Sequence, residues 1–549
     1  MTTRDGVNEA TLFVRKATGL VRSWSVFDAF VYATFSINLV TLGLYIFSQM
    51  YFLQGGLLET LLISGGLILF EIVVYAGLIA VMPRSGGDYV WQSRILGGGI
   101  GFVLAITGWW FILWLWVPLY SDMLRHTFLT PVLGLLGAKD AALWFGQSSL
   151  GLFVTSAMMC VLVAVYIGMG MKWYARIQKI CFWLGMAGLV AVFAILLFGT
   201  PEAFQAGFNQ DMSAIFGSQP DVYTATLAAG EAAGATTPLT GGGMSAIFLA
   251  MPFIVFFNLW PNWGTALYGE VRGATDFKRN FAGMASALII TSLLAVVFLL
   301  LVNKTITWDF YMKANAAWWN YAWGYTDQTP PLPIWPYPAL MATAMVPGNF
   351  LKLIVVVLMS FWWFGWCGTV FLSSTRVIFA AAFDRLLPEK VAEVDERTRT
   401  PIYALLLMVV PSLIVSALFA WNVFNFRSLT LDSTLVIAVT YLGTTIAAIL
   451  LPYTKPDLYQ SSPIAKYKVF GVPLITFAGV IFGGFLVYLL YQWLFDPNKL
   501  YGIGLANTSS VIFLLVLYGL ALGIYYGFKY YRSRQGINIK NVYKEIPAE

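Results

Sequence analysis

Long apolar runs alternate with short polar segments along almost the whole chain. Twelve of these runs reach the length at which an α-helix crosses the hydrocarbon core of a bilayer, about 20 residues. They lie at 26–52, 58–82, 98–123, 148–170, 178–199, 245–268, 281–303, 350–374, 402–421, 432–452, 470–495 and 508–530. The pattern predicts an all-α integral membrane protein with 12 transmembrane helices.

The sixth run contains a polar interruption at its centre. The stretch FFNLWPNWG, residues 256–264, places Asn258, Pro261 and Asn262 in an otherwise apolar segment. Proline removes a backbone donor and clashes with the carbonyl four residues earlier, and lipid cannot satisfy the groups that this frees. We therefore predict a broken helix whose break lines a binding site. A proline kink sealed by neighbouring helices is the alternative.

The first run carries a weaker interruption. In FDAFVYATFSINLVTLGLYIF, residues 27–47, three polar side chains lie at midspan and a glycine follows, without a proline. Taken alone, this is also consistent with an ordinary span that has one polar face. Broken helices in spans one and six are, however, the arrangement of an inverted five-plus-five repeat.

This arrangement predicts a division of the chain into six segments. They are an N-terminal cytoplasmic segment 1–22, a first repeat 23–200 (spans one to five), an extracellular loop 201–244, a second repeat 245–455 (spans six to ten, with an extracellular loop 304–347), spans eleven and twelve in 456–530, and a cytoplasmic tail 531–549.

The candidate substrate-binding residues are polar or aromatic side chains at the two predicted breaks, with one tryptophan from span three. They are Ser36, Asn38, Thr41, Phe257, Asn258, Trp260, Asn262 and Trp110. Glu71 lies well inside span two, and an intramembrane carboxylate marks a functional site by default. It is the candidate for coupling to a proton or sodium ion; a protonated structural carboxyl is the alternative.

Composition supports lipid as the solvent, since 59% of residues are hydrophobic and 11% are charged, against about 25% charged in soluble proteins. With the N-terminus inside, all but seven of the 32 basic residues fall in inside segments. The exceptions are Arg125, Lys139, Lys304, Lys313, Lys352, Arg427 and Lys499. The positive-inside rule then predicts a multi-pass plasma-membrane protein with both termini cytoplasmic. Nothing in the net charge of +6 indicates nucleic acid.

Catalytic, cofactor and metal chemistry have little support in the sequence. Cys160, Cys181 and Cys367 are scattered through apolar runs, and His126 is the only histidine, so neither a disulfide framework nor a metal site is expected. No phosphate-binding loop or dinucleotide fingerprint is present. We expect no cofactor and no enzymatic activity. The aromatic segment WWNYAWGY, residues 318–325, either caps an outer vestibule or forms an interfacial belt.

Four polar stretches resemble those of the amino acid–polyamine–organocation permeases. They are MPRSGGDYVWQSRILGGGIGF (82–102), GMKWYARIQKI (170–180), YGEVRGATDFKRN (268–280) and STRVIFAAAFDRLLPEKVAEVDERTRTP (374–401). The resemblance covers most of 20–470 in the same order. It implies the sodium-symporter-like five-plus-five inverted repeat with two added C-terminal helices, and substrate binding between spans one and six.

The chain departs from that family at the expected site. The family's Gly-Phe-Glu of span six falls on Trp260, Pro261 and Asn262, and its Gly-Ser-Gly of span one falls near residues 39–41. A lysine that some proton-coupled members carry in span five corresponds to Gly185. The family's glycines at the substrate site and its coupling lysine therefore do not carry over to this chain.

We expect a secondary active transporter that moves an amino acid or a related amine by alternating access, coupled to a cation such as H+. The expected partners are this small-molecule substrate, a proton or sodium ion and the lipid bilayer. The alternative is a transport-inactive receptor, or a structural subunit of a membrane complex, with the same fold. A major-facilitator carrier would need a long central inside loop, whereas the loop after span six has about a dozen residues.

Overall fold

The structure, a computed structural model, describes residues 19–236 and 238–546. Within these residues 12 helices are long and apolar enough to cross a membrane, which confirms the predicted fold class. We number them TM1–TM12: Val26–Ser48, Leu57–Val81, Gly98–Leu135, Ser149–Gly168, Met171–Phe198, Gly243–Glu270, Phe277–Thr305, Asn349–Phe383, Ile402–Ala420, Val423–Thr454, Leu474–Phe495 and Thr508–Arg534.

Both predicted interruptions are present. TM1 is α-helical over Val26–Ile37, then Asn38 takes a left-handed conformation at φ 45° and a π-helical turn Leu39–Gly43 leads into a helix Leu44–Ser48. Asparagine tolerates this conformation better than most residues. TM6 is α-helical over Gly243–Asn258 and resumes as a 3-10 helix over Trp263–Glu270.

Three further spans are composed of more than one helical segment. TM3 joins Gly98–Ile106, Thr107–Phe111, Leu113–Leu124, Arg125–Leu129 and Thr130–Leu135, TM8 joins Asn349–Trp366 and Thr369–Phe383, and TM10 joins Val423–Leu429 and Thr430–Thr454. TM3 and TM8 extend about ten residues beyond their predicted ends. Polar side chains in these extensions are paired inside the protein, as Arg125 is with Asp122 and Arg376 with Glu270, so the helices continue beyond the apolar runs.

Short helices and one small hairpin occupy the connections. The helices are Asp88–Ile95, Lys139–Gln147, Pro201–Phe216, Val222–Ala232, Trp308–Ala322, Pro338–Thr343, Glu389–Ala392, Pro456–Gln460, Pro463–Lys466, Gly504–Ala506 and Ile539–Val542. The strands Lys468–Val469 and Val472–Pro473 pair antiparallel. Of the predicted terminal segments, 1–18 and 547–549 lie outside the described residues.

The broken helices lie at the centre of the bundle. In the most hydrophobic stretch of TM1 89% of residues are buried, against 17% for TM12, so TM12 is peripheral. TM7 packs along TM1 and TM2, TM2 packs on TM6 and TM11, and TM5 packs along TM8. We call the side that holds Gly19 and Ile546 the termini side and the opposite side the far side. The connections TM5–TM6 and TM7–TM8 lie on the far side.

A close helix contact supports the loop after TM2. A side chain at Gly101 in TM3 would place its Cβ 2.3 Å from the backbone nitrogen of Ser93. The helix Asp88–Ile95 therefore lies directly against the TM3 backbone, and only glycine allows this approach.

We predict that Gly101→Ala lowers the stability of the folded protein by about 1–3 kcal/mol, because the added methyl group overpacks against backbone that cannot move aside. The thermal unfolding midpoint in lipid nanodiscs measures this. Gly283→Ala in TM7 is the control, since its Cβ would meet nothing within 4 Å; there the midpoint stays the same or rises. Equal midpoints for the two variants would contradict the prediction.

Candidate functional site

The break in TM6 leaves backbone groups without partners. Leu259 N–H donates to the carbonyl of Val255 at 3.0 Å, and Trp263 N–H donates to that of Trp260 at 3.1 Å. Among the described residues, the N–H groups of Trp260 and Asn262 have no hydrogen-bond acceptor. These two donors lie midway along TM6, where only protein or a polar solute can satisfy them.

Two asparagines connect this break to neighbouring helices. Asn258 Nδ2 donates to Ser64 Oγ of TM2 at 2.7 Å, and Asn262 Oδ1 accepts from Tyr441 OH of TM10 at 3.0 Å. Both side chains are fully buried. Each retains one unpaired atom among the described residues, Oδ1 of Asn258 and Nδ2 of Asn262. The break is therefore held in place by the bundle but only partly satisfied by it.

The side chain of Asn38 makes two hydrogen bonds at the break in TM1. Asn38 Oδ1 accepts from the N–H of Thr41 at 2.9 Å, and Asn38 Nδ2 donates to the carbonyl of Trp362 in TM8 at 3.1 Å. Thr41 Oγ1 is buried without a partner in the described part of the chain. Ser36 Oγ donates to the carbonyl of Tyr32 at 2.8 Å, so its hydroxyl serves its own helix.

The two broken helices meet through Phe257. A Cβ on Gly43 of TM1 would lie 3.0 Å from the Phe257 ring, and the rings of Phe47 and Phe257 meet edge to face at 5.0 Å. Phe257 therefore fills the contact between TM1 and TM6, and glycine at position 43 gives it room.

Four tryptophan side chains surround the TM6 break and form what we call the tryptophan cluster: Trp109, Trp116, Trp260 and Trp263. The rings of Trp116 and Trp263 stack with their centroids 5.4 Å apart. The Trp260 ring is perpendicular to both, with its centroid 5.0 Å from that of Trp116 and 5.4 Å from that of Trp263. Trp109 lies 4.5 Å from Trp263. The indole N–H groups of Trp116, Trp260 and Trp263 donate to Ser433 Oγ, the Phe256 carbonyl and the Thr369 carbonyl.

Span three contributes to the cluster through a different face from the one predicted. Trp110 and Trp114 both direct their indole N–H to the carbonyl of Leu407 in TM9, at 3.1 and 3.3 Å. Trp110 thus faces TM9 and not the breaks, whereas Trp109 and Trp116 face TM6. Their spacing along the helix shows that these pairs lie on two faces, but spacing does not show which face is turned inward.

Two carboxyl groups lie behind the TM6 break. Glu71 of TM2 is fully buried, and neither of its oxygens has a hydrogen-bond partner among the described residues. Asp88 Oδ1 accepts from Tyr75 OH at 2.7 Å and from Thr444 Oγ1 at 2.5 Å, while Oδ2 is unpaired. Neither carboxyl belongs to an ion pair of the described residues.

Asp88 was not among the predicted site residues, and it belongs to the stretch 82–102 that carries the family resemblance. It lies outside the spans, and burial raises its pKa to about 6, although its hydrogen bonds from Thr444 and Tyr75 act in the opposite direction. The rings of Tyr75 and Tyr441 are 5.6 Å apart. Because Tyr441 also donates to Asn262, side chains connect the carboxyl pair to the break.

A family model for amino acid permeases matches residues 25–522, which is most of the chain. The chain belongs to the amino acid permease family. As a member it is a multi-pass membrane transporter of amino acids or related compounds, and this family points to transport and not to catalysis. No curated protein matches the chain in a sequence comparison.

The permease is closed on the termini side by contacts that join TM1 and TM6 to TM5 and TM8. Trp24 N–H donates to the carbonyl of Glu270 at 3.1 Å, and Trp24 Nε1 donates to the carbonyl of Met171 at 3.1 Å. Lys179 Nζ of TM5 lies 3.0 Å from Asp28 Oδ1 of TM1. We call these contacts, together with the Glu270–Arg376 pair, the termini-side seal.

The Glu270–Arg376 pair is the most deeply buried part of the seal. Arg376 Nε donates to Glu270 Oε1 at 2.8 Å and Nη2 donates to Oε2 at 3.2 Å. The two side chains are 1% exposed or less. This pair fixes TM8 against the end of TM6. Each buried charge, the Glu270 carboxylate and the Arg376 guanidinium, is neutralised by the other.

On the far side, two cavities of the permease open above the tryptophan cluster. One of about 210 Å³ is lined by Leu119 and Phe256, and Phe256 also stacks on Trp116 at 5.7 Å. The other, of about 310 Å³, lies near Asp122 and Arg427. Trp319 and Trp323 line both cavities, so the WWNYAWGY segment covers this vestibule.

We predict that Glu270→Ala lowers the free energy of unfolding by about 3–5 kcal/mol, because it leaves the Arg376 guanidinium buried without a counter-charge. Thermal unfolding of the purified permease in nanodiscs measures the loss. Asp309→Ala is the matched control. It removes a 3.1 Å pair with Lys313 in which the aspartate side chain is 67% exposed, and such a pair contributes at most about 1 kcal/mol. Similar losses in both variants would contradict the argument.

We also predict a pH dependence from Asp88. Since its pKa rises from 3.8 to about 6 on folding, the folded state binds more protons than the unfolded chain between these values, and stability falls as pH rises through this window. In Asp88→Asn, which keeps an oxygen for Tyr75 and Thr444, the unfolding midpoint falls less between pH 4 and pH 7. Asp221 serves as a control with the opposite pH dependence. Hydrogen bonds from Thr224 lower the pKa of its carboxyl, so its contribution to the stability of the folded protein is lost as pH falls. A wild-type slope retained by Asp88→Asn would refute the prediction.

Proposed function

We propose that this protein is a secondary active transporter that moves an amino acid or a related amine across the plasma membrane by alternating access, coupled to a proton. The observation that carries the proposal is the pair of facing breaks in TM1 and TM6. Among the described residues these breaks present the unpaired N–H groups of Trp260 and Asn262 and the unpaired oxygens of Thr41 and Asn258. Unpaired polar groups at broken helices are the means by which such transporters bind small solutes.

We assign the substrate contacts to Thr41, Asn258, Trp260 and Asn262, which lie at the breaks. The other four candidates have structural roles. Both side-chain groups of Asn38 bond to the protein. Phe257 fills the contact between TM1 and TM6, Ser36 bonds to its own helix, and Trp110 faces TM9.

Alternating access is supported by the asymmetry between the two sides. On the termini side a cavity of about 730 Å³ is lined by Met171 and Glu270 of the seal but by no residue of the two breaks. On the far side a cavity is lined by Phe256, which stacks on the tryptophan cluster. The distribution of basic residues favours the termini side as cytoplasmic, and the conformation then corresponds to access from outside. In the opposite conformation, Trp24 separates from Met171, Asp28 from Lys179, and Glu270 from Arg376.

Proton coupling is assigned to Glu71. An ionised carboxylate with no hydrogen-bond donor and no counter-charge is costly in a protein interior, whereas its protonated form is tolerated. Asp88 acts on Glu71 electrostatically, and repulsion between two negative charges favours a proton on one of the two carboxyl groups. The path Tyr441–Asn262 gives substrate binding a route to influence that proton.

The first test is uptake into proteoliposomes of radiolabelled amino acids and amines, with and without an inward proton gradient. We expect uptake of at least one compound to be accelerated by the gradient. Asn258→Ala should reduce this uptake roughly tenfold or more, since it removes both the Oδ1 assigned to the substrate and the hydrogen bond to Ser64 that positions it. Asn209→Ala, in a far-side loop helix, is the control.

Glu71→Gln tests the coupling residue in the same assay. The amide cannot release a proton, so we expect substrate exchange to persist while acceleration by the gradient is lost. Glu231→Gln, at an exposed far-side position, should retain both. Undiminished gradient dependence in Glu71→Gln would refute the coupling role. Ligand-dependent thermal stabilisation without any uptake would instead favour a transport-inactive receptor.

A further inference from the structure

The substrate class is constrained by the first residue of the outer half of TM1. The N-terminal end of a broken helix carries partial positive charge and free N–H groups, and it is where such transporters bind an anionic group of the substrate. Here Asn38 places its own oxygen 2.9 Å from the N–H of Thr41, and its amide nitrogen is fixed by the Trp362 carbonyl. Asn38 is fully buried. The N–H of Thr41, which could bond to a carboxylate, is therefore already bonded to the protein.

Positive side chains do not replace the lost anion site. Four basic side chains are buried in the described part of the chain, and each belongs to an ion pair. These pairs are Arg94–Asp384, Glu270–Arg376, Arg532–Glu389 and Lys352–Asp211. The first three lie toward the termini side and the last toward the far side, so none supplies a free cation at the breaks.

The charge that does lie near the breaks is acidic. Glu71 and Asp88 both interact electrostatically with Tyr441, whose hydroxyl bonds to Asn262. The unpaired donors of Asn262 and Trp260 therefore lie on the side of the site that faces two carboxyl groups. A carboxylate bound to these donors would be destabilised by that field, whereas a cation would be stabilised by it.

The remaining features of the site suit an ammonium group. Asn258 Oδ1 and Thr41 Oγ1 are buried oxygens without donors in the described residues, and an ammonium provides donors only. The indole N–H groups of Trp116, Trp260 and Trp263 are bonded to protein, so these three side chains can offer a ligand only their rings, whereas Trp109 Nε1 has no partner among the described residues. Tryptophan faces are the strongest aromatic partners for cations.

From these observations we propose that the substrate is an organic ammonium ion without a carboxylate, such as a small primary amine, whose charged nitrogen lies between the Trp260 ring and the oxygens of Asn258 and Thr41. This inference rests on the proposed function, because it names the substrate class of the same site. It is tested by equilibrium binding, which does not depend on transport.

The experiment compares matched pairs that differ only in the carboxylate. Phenethylamine and phenylalanine, isoamylamine and leucine, and cadaverine and lysine are titrated into the purified full-length protein in nanodiscs, with tryptophan fluorescence and calorimetry as readouts. We expect at least one amine to bind at least about tenfold more tightly than its amino acid. Amino acids that bind as tightly as their amines, or a failure of all three amines to bind, would overturn the inference.

Asn38→Gly tests the role of the self-capped helix end. Glycine accepts the left-handed backbone of this position without strain, so the variant should fold, and it frees the N–H of Thr41. We expect amino acid binding to strengthen about tenfold while amine binding changes little. If the variant binds amino acids no better than the wild type does, Asn38 does not exclude the carboxylate and the inference fails.

Trp260 variants test the ring contact. Trp260→Leu should weaken amine binding about tenfold and Trp260→Phe by a smaller factor, as expected for a cation over an aromatic face. Trp173→Leu, at an exposed position of TM5, is the control. Equal affinity in Trp260→Leu and wild type would remove the assigned contact. If amines bind but are not taken up, the proposed transport function is contradicted and the inferred substrate class stands. If only amino acids are taken up, the transport function stands and the inferred substrate class is contradicted.

Discussion

A peptide group inside a membrane-spanning bundle must bond to protein or to a bound solute, because lipid offers it nothing. This constraint distinguishes the two breaks of the permease. In TM1, Asn38 bonds to the N–H of Thr41 and to the Trp362 carbonyl, and Thr41 Oγ1 has no partner among the described residues. In TM6, Ser64 and Tyr441 bond to the two asparagines of the break. Asn258 Oδ1 and Asn262 Nδ2 remain unpaired in the described part of the chain, and the surrounding helices hold them in place.

Among the described residues, buried charges are paired on the termini side but not near the TM6 break. Buried ion pairs such as Glu270–Arg376 and Arg94–Asp384 lie toward the termini side, where they fix TM8 against TM6 and against the helix Asp88–Ile95. Near the TM6 break, by contrast, the carboxyl groups of Glu71 and Asp88 belong to no ion pair of the described residues. Opposite charges in a medium of low polarity attract strongly, so the ion pairs oppose separation of the helices on the termini side.

Aromatic packing fills the space around the TM6 break. Stacked and perpendicular rings of Trp116, Trp260 and Trp263 close over the TM6 break. Phe256 extends this packing toward the far-side cavity. Separation of these rings would break their indole hydrogen bonds, whereas separation of the helices on the termini side would break ion pairs.

The sequence by itself determined the features that depend on a few neighbouring residues. The length of apolar runs predicted the 12 spans, and Pro261 with Asn258 and Asn262 predicted the TM6 break. Only the tertiary structure decided which side chains meet. It turned Trp109 and Trp116 toward TM6, placed Asp88 beside Glu71, and extended TM3 and TM8 through residues whose charges are paired elsewhere in the chain. The physical reason is that chain connectivity and backbone chemistry act locally, whereas burial and pairing depend on helices that are distant in sequence.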